Sequence, residues 1–194
     1  MPIPIPPRPS GYRLGNANAP VIVETFFDLE CPFSKKGWQT IMKVTEAYST
    51  EKVCWIFQPM GLSNHRQSWD ATKAAIAVSG QDTQKFIEFV SYLFAHQSEF
   101  ANEASKDRTQ TQWHELLGDY ALDATDWSDK KQFIEKLNSK EIYAQARIPA
   151  RLATVRGVWS TPTYFINGAE ASDLSSKSTL QDWQQTLDSL LANY

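Results

Sequence analysis

Apolar residues along this chain follow two periodicities, and the switches between them mark out its organisation. From Val21 to Leu29 they run almost unbroken, β-branched and aromatic, with Pro20 ahead of them, which predicts a buried strand. From Pro32 to Tyr48, Phe33, Trp38, Ile41, Met42 and Val44 recur near helical spacing. Lys52 to Gln58 is again β-branched and aromatic and is stopped by Pro59, a second strand. Strand, helix and strand in that order predict a parallel βαβ unit with a right-handed crossover. Gly11 to Ala19 carries neither period and reads as loop.

The next stretch is helical throughout. Ser63 or Asn64 is placed to cap a helix through Trp69, Ala74, Ile76 and Ala77 that stops at Gly80. Asp82 caps another, with Phe86, Phe89, Val90, Leu93 and Phe94 as its apolar face. Asn102 to Thr111 is polar and loop-like, and Trp113, Leu116, Leu117 and Tyr120 mark a third helix. Ser128 opens a fourth through Phe133, Ile134 and Leu137, and Ser139 a fifth that ends before Gly157. Pro149 inside the fifth predicts a kink or a break. Thr163 to Ile166 is then a short strand, Asn167-Gly168 a hairpin turn, and Ala169 to Ala171 its partner strand. Thr179 to Leu191, with Leu180, Trp183, Leu187, Leu190 and Leu191 on one face, is a packing helix. The implied organisation is an extended proline-rich arm over 1–14, one α/β domain in two parts, 15–62 and 157–194, and a helical insertion over 63–156.

Composition narrows the partners. The chain has 194 residues, 42% of them hydrophobic, enough for one domain with an insertion. A net charge of −3 without a dense Lys/Arg stripe argues against nucleic acid, and no apolar run is long enough to cross a bilayer. The proline-rich start lacks the basic and apolar regions of a signal peptide, so a cytoplasmic protein is expected, with an exported protein whose signal has been removed as the alternative. Two cysteines make no disulfide framework. His65, His96 and His114 show no ligand spacing with each other or with the cysteines, so no metal is expected. His65 follows the second strand, on the side where α/β sheets bind ligands, although a surface histidine capping a helix explains it as well.

Cys31 is the centre of the candidate chemistry. It falls where the first strand ends and a helix begins, with Pro32 suited to the first turn. Free N–H groups and the positive end of the macrodipole there favour a thiolate. On this stretch alone a small buried cysteine remains an equal alternative. Asp28 and Glu30 flank the thiol and oppose thiolate formation. Cys54 lies near the start of the second strand, on the order of 13 Å from Cys31 if the parallel strands are level, whereas a disulfide needs Cα atoms within about 7 Å. Cys54 is therefore read as core, unbonded to Cys31.

Two segments carry a family resemblance. Gly15 to Ser34 (GNANAPVIVETFFDLECPFS) is similar to the first strand and active-site turn of the DsbA-like branch of the thioredoxin fold. Gly157 to Gly168 (GVWSTPTYFING) is similar to its cis-proline loop and following hairpin. The resemblance implies an α/β thioredoxin-like fold, βαβ then ββα, with a helical insertion between the second strand and the cis-proline strand. It implies Cys31 as nucleophile and a cis Thr161–Pro162 bond whose loop faces it, offering the backbone edge of Thr161 to an extended ligand. The residues alone permit a trans proline opening a strand. Pro32, Phe33, Thr161, Pro162 and Trp159 become substrate-contacting residues, with Phe33 and Trp159 as walls of an apolar groove unless they are core.

The chain departs from that family at Ser34, where the Cys-x-x-Cys pattern has its second cysteine. A serine there cannot close a disulfide, though it can donate a hydrogen bond to a thiolate. The implied function is monothiol exchange through Cys31 and Ser34, with no bound cofactor and with glutathione as co-substrate or protein thiols and disulfides as partners. Two alternatives remain. One is a transferase or isomerase similar to the kappa-class glutathione transferases, whose active-site serine would stand where Cys31 is. The other is a binding module that keeps the groove and has given up redox chemistry, Ser34 then being an ordinary first-turn residue of an inactive site.

Overall fold

The computed structural model describes residues 5, 6 and 8–194. Strands β2 (Val21–Phe27) and β3 (Val53–Pro59) lie parallel at the centre of the sheet, Val21 opposite Val53 and Phe27 opposite Pro59. Helix α1 (Pro32–Ala47) makes the crossover between them. Strand β4 (Thr163–Ile166) runs antiparallel to β2, and β5 (Ala169–Glu170) returns along β4 after the Asn167-Gly168 turn, where both residues have positive φ. Strand β1 (Tyr12–Leu14) pairs antiparallel with β3 and completes a five-stranded sheet of order β1-β3-β2-β4-β5. That strand corrects the sequence expectation of a loop there. Its three residues are too few to show a period, and the exposed edge of β3 recruits them. Of the expected arm, residues 1–4 and 7 lie outside the described residues. Ser10 is fastened to the sheet, its hydroxyl donating to Gln58 Oε1 and its carbonyl accepting from Gln58 Nε2, each at 3.0 Å.

Between β3 and β4 come α2 (Ser68–Ser79), α3 (Thr83–Ala95), a 3₁₀ turn (Gln97–Glu99), α4 (Gln110–Ala124), α5 (Lys130–Leu137) and α6 (Lys140–Val155). No strand interrupts them among the described residues, and α7 (Leu180–Leu191) closes the chain. Asp82 and Ser139 cap α3 and α6 through their side chains, as the sequence predicts. Three details differ. The cap of α5 is Asp129 rather than Ser128. Helix α6 continues through Pro149, which is buried, so packing against α2 outweighs the hydrogen bond the ring removes. Helix α2 starts at Ser68, later than a cap at Ser63 or Asn64 would place it, because residues 62–67 spend their polar groups on tertiary partners described below.

One large apolar cluster joins Val23, Phe27, Trp55 and Phe57 of the sheet to Trp38 and Ile41 of α1, Trp183 of α7 and the helices of the insertion. A second cluster on the opposite face holds Phe26, Met60, Ala153, Val158 and Phe165. Phe26 meets Phe165 edge-on with centroids 5.6 Å apart. Arg156 pairs with Glu24 and lays its guanidinium 4.8 Å over the Phe165 ring. The segment between α6 and β4 is thus anchored at both ends, which fixes the loop carrying Thr161 and Pro162. Cys54 sits opposite Ile22, fully buried in a third small cluster, and both cysteines are free.

The insertion contains a buried charged network. Asp70 lies 2.6 Å from Lys73 Nζ and 3.1 Å from His114 Nε2, and Asn138 Nδ2 lies 3.2 Å from the other ring nitrogen of His114. Burial by itself would raise the Asp70 carboxyl, but the hydrogen bonds and charges of His114 and Lys73 outweigh it and hold it at about 2, against about 3.9 in an unfolded chain. A carboxyl depressed by folding contributes its stability above the unfolded value and loses it as the pH falls through the folded one. Thermal midpoints should therefore drop between about pH 4 and pH 2, and Asp70→Asn should flatten that part of the dependence.

Candidate functional site

The strand β2 ends in the turn Asp28-Leu29-Glu30, and the turn delivers Cys31 to the N-cap of α1. Cys31 has extended backbone angles, φ −74° and ψ 119°, and its side chain does not cap the helix. Its N–H donates to the Asp28 carbonyl at 3.1 Å, and its own carbonyl accepts from Lys35 N–H at 3.1 Å, the first turn of α1. The thiol therefore stands at the free N–H groups of a sixteen-residue helix. Across from it, the Thr161–Pro162 bond is cis, and Cys31 Sγ donates to the Thr161 carbonyl at 3.3 Å. That bond exists only while sulfur keeps its proton, so ionisation releases the Thr161 carbonyl. Cys31 is 3% exposed; a partner must fit closely around it.

Close packing between α1 and the cis-proline loop depends on Gly37. A Cβ built there would lie 2.5 Å from Tyr164 Oη and 2.9 Å from Pro162 Cγ. Gly37→Ala is expected to cost about 1–3 kcal/mol through overpacking and to push the loop off Cys31. A lower thermal midpoint together with faster alkylation of Cys31, freed from the loop and from the Thr161 carbonyl, would report both effects.

Ser34 is fully buried on the first turn of α1, and its Oγ accepts the Asp28 N–H at 3.1 Å. The sequence reading has this hydroxyl available to a thiolate. Its oxygen closes the turn that presents Cys31 while its own O–H keeps the capacity to donate, and no hydrogen bond joins it to the sulfur among the described residues. Phe33 and Trp159 are not core: they are 58% and 90% exposed. Pro32 is exposed as well, whereas Thr161 is buried.

The two acids beside Cys31 are held by partners that the local sequence does not show. Asp28 is fully buried and its carboxylate is surrounded by donors. Oδ1 accepts from Glu30 N–H at 2.7 Å and from the Ser68 hydroxyl; Oδ2 accepts from Leu62 N–H at 2.6 Å and lies 2.9 Å from His65 Nδ1. Glu30 is buried too, with Oε2 accepting from Gln67 N–H at 2.9 Å. Burial pushes its carboxyl up, and the Gln67 N–H offsets this only in part. His65 is thus a partner of the turn that presents Cys31 rather than a surface cap. Asn102 secures the same loop, donating to the Asn64 carbonyl at 2.7 Å and accepting from Arg66 N–H at 3.2 Å. Gln97, from the 3₁₀ turn of the insertion, donates to the carbonyls of Leu29 at 2.9 Å and Cys31 at 3.0 Å. Nothing in the local sequence singles out Gln97, Gly37 or Ser68; Gln97 and Ser68 act from distant segments, and Gly37 matters only because the distant cis-proline loop packs on it. Among the described residues there is no cluster that would hold a metal ion.

A sequence model of the family described as Thioredoxin matches residues 8–189. Among curated proteins, Na(+)/H(+) antiporter NhaA 1 of Mycobacterium sp. strain KMS is 27% identical over 178 residues, a match covering 84% of this chain and 26% of the antiporter. The NhaA 1 of Mycolicibacterium vanbaalenii is 26% identical with the same coverage. The chain spans about a quarter of the length of these curated relatives. Among solved structures, a proposed protein-disulfide isomerase from Pseudomonas syringae has a TM-score of 0.78 at 17% identity, covering 91% of this chain and 97% of its own. Oxidised BdbD from Bacillus subtilis has a TM-score of 0.71 at 23% identity, covering 94% and 93%. The thiol-disulfide exchange protein alpha-DsbA2 from Wolbachia pipientis has a TM-score of 0.70 at 22% identity, covering 93% and 87%. At these identities the likeness is one of fold.

Proposed function

This chain belongs to the thioredoxin family, and from that premise we propose that it exchanges thiols and disulfides through Cys31 as a single nucleophile. The observation that carries the reading is the pairing of Cys31 Sγ, at the start of α1, with the Thr161 carbonyl before Pro162, while Ser34 stands in the first turn of α1 with its oxygen accepting the Asp28 N–H. The thiolate of Cys31 attacks one sulfur of a disulfide such as oxidised glutathione. A Cys31–glutathione bond forms, the glutathione disulfide breaks, and the second glutathione leaves as a thiolate that takes up a proton from water. Cys31 is oxidised by this step and one glutathione is reduced. Release needs a second thiol from solution, since Ser34 has no sulfur and Cys54 lies on the other face of the sheet.

Protein disulfides fit the same reading. An extended segment can pair with the backbone of Thr161, flanked by the exposed Phe33 and Trp159. Trp159→Ala is expected to weaken binding of a protein disulfide by about 1–2 kcal/mol, roughly 5- to 30-fold in KM, and to leave exchange with oxidised glutathione within about 2-fold, since a tripeptide reaches less of that wall. Steady-state kinetics on the two substrates separate the cases.

Incubation with oxidised glutathione near neutral pH, followed by mass spectrometry over time, tests the whole reading. One glutathionyl group should appear on the Cys31 peptide and persist until a reducing thiol is added; Cys31→Ser should take none. If Cys31 stays unmodified, or reacts no faster than in the unfolded chain, the redox reading fails and the groove is that of a binding module.

A further inference from the structure

His65 lies on the loop after β3, far from Cys31 in sequence, yet one buried carboxylate joins the two. Asp28 takes His65 Nδ1 on Oδ2 at 2.9 Å, while its backbone carbonyl holds Cys31 N–H and its backbone N–H holds Ser34 Oγ. Both residues on which the proposed exchange turns are therefore positioned by the residue that His65 pairs with. The carboxylate is 0% exposed and the imidazole 13%, so a proton from solvent reaches the ring and not the acid.

We propose that His65 is a positioning residue of the Cys31 site that sets the charge of the buried Asp28 pair, so that the Cys31 thiolate forms more readily while the imidazole carries both of its protons. The inference rests on the reading of Cys31 as the nucleophile and adds to it a regulatory partner. The charges decide the sign. With a neutral imidazole the Asp28–His65 pair carries one negative charge; with an imidazolium it carries none. A thiolate at the adjoining turn is a further negative charge, and in a site closed to water it is opposed by the first case and not by the second. Loss of the imidazole proton thus works against the thiolate.

The other charged groups around the pair are few. Glu30 is buried on the same turn, held by Gln67 N–H and in the field of both Asp28 and His65. Arg66 on the His65 loop is exposed, with Nη1 3.5 Å from the Lys106 carbonyl, and Lys106 pairs with Glu103. Lys35 and Lys36 lie on the first turns of α1, which carry no acid. Among the described residues Glu30 is the other buried acid on this turn and would imitate the effect, so the test has to separate it from His65.

The test is the rate of alkylation of Cys31 by iodoacetamide between about pH 5 and pH 9, spanning the ordinary imidazole and thiol ranges, read on the Cys31 peptide by mass spectrometry. His65→Asn puts an amide nitrogen where Nδ1 stands and keeps the donor to Asp28 without the charge; Glu30→Gln removes the competing ionisation. The parent protein should show two ionisation steps. His65→Asn should show one, with the rate near pH 6 lowered about 5-fold, the effect of one unit charge at an intermediate distance, and the high-pH plateau unchanged. His65→Asn superimposing on the parent, or the extra step vanishing in Glu30→Gln instead, overturns the proposal. Should His65→Asn fail to fold, the reciprocal measurement serves: Cys31→Ser should shift the titration of the His65 ring proton seen by NMR, and an unmoved titration overturns the coupling. A parent protein whose Cys31 alkylates no faster than in the unfolded chain at any pH is a different result, the failure of the nucleophile reading itself.

Discussion

Ser34→Cys is expected to turn a long-lived mixed disulfide into a passing one. Position 34 is fully buried on the first turn of α1, three residues after Cys31, and such neighbours share a helix face with Cβ atoms about 5–6 Å apart. An introduced thiol there meets the sulfur of a Cys31 adduct directly, expels glutathione, and leaves a disulfide between Cys31 and the introduced thiol, with one glutathione thiol released for each adduct consumed. An intramolecular thiol acts at an effective concentration far above the millimolar range of thiols in solution, so the adduct lifetime should shorten at least about 100-fold. The exchange of oxygen for sulfur weakens the bond accepted from Asp28 N–H, a loss of about 1 kcal/mol that a thermal melt of the reduced variant would show. An adduct equally stable in the variant would mean that position 34 does not face Cys31 in solution.

Asp28→Ala should have the largest effect on stability. Removal of the carboxylate strands the N–H groups of Glu30 and Leu62, the Ser68 hydroxyl and the His65 ring nitrogen around a buried void. Breaking a buried charged hub from one side costs about 3–5 kcal/mol. For a chain of this length that is about 10 °C in thermal midpoint. The loss falls where the turn carrying Cys31 meets the start of the insertion. Asp28→Asn keeps one acceptor oxygen and should fall between the two. A midpoint within about 2 °C of the parent for Asp28→Ala, set against the shift of several degrees that a buried hub implies, would show that water or a rearranged loop replaces the carboxylate without penalty.

Much of the architecture is legible in the chain because short-range physics dictates it. Period and β-branching mark β2, β3 and β4, the Asn167-Gly168 pair marks the hairpin, and Asp82 and Ser139 mark helix starts. Cys31 at a strand-to-helix junction, with Pro32 behind it, is likewise a local pattern, and the spacing argument that keeps Cys54 away from it needs only the parallel register of β2 and β3. Even the departure at Ser34 is a fact of sequence, and it excludes a disulfide within that motif by covalent chemistry alone.

Tertiary structure alone decided what surrounds the thiol. Adjacency in sequence shows only that Asp28 and Glu30 flank the thiol; the fold buries both and points their carboxylates at the loop before α2, because buried acids seek the nearest unpaired donors, and these lie on residues 62–68. The same bonds explain why α2 begins at Ser68 and not at the cap the sequence offers, and why His65 belongs to the site. β1 exists because β3 leaves an edge to pair with, and α6 survives Pro149 because α2 packs against it. Such effects depend on groups that meet only after the chain has closed on itself. No window of neighbouring residues contains them, and the charge, burial and partners of Cys31 are set there.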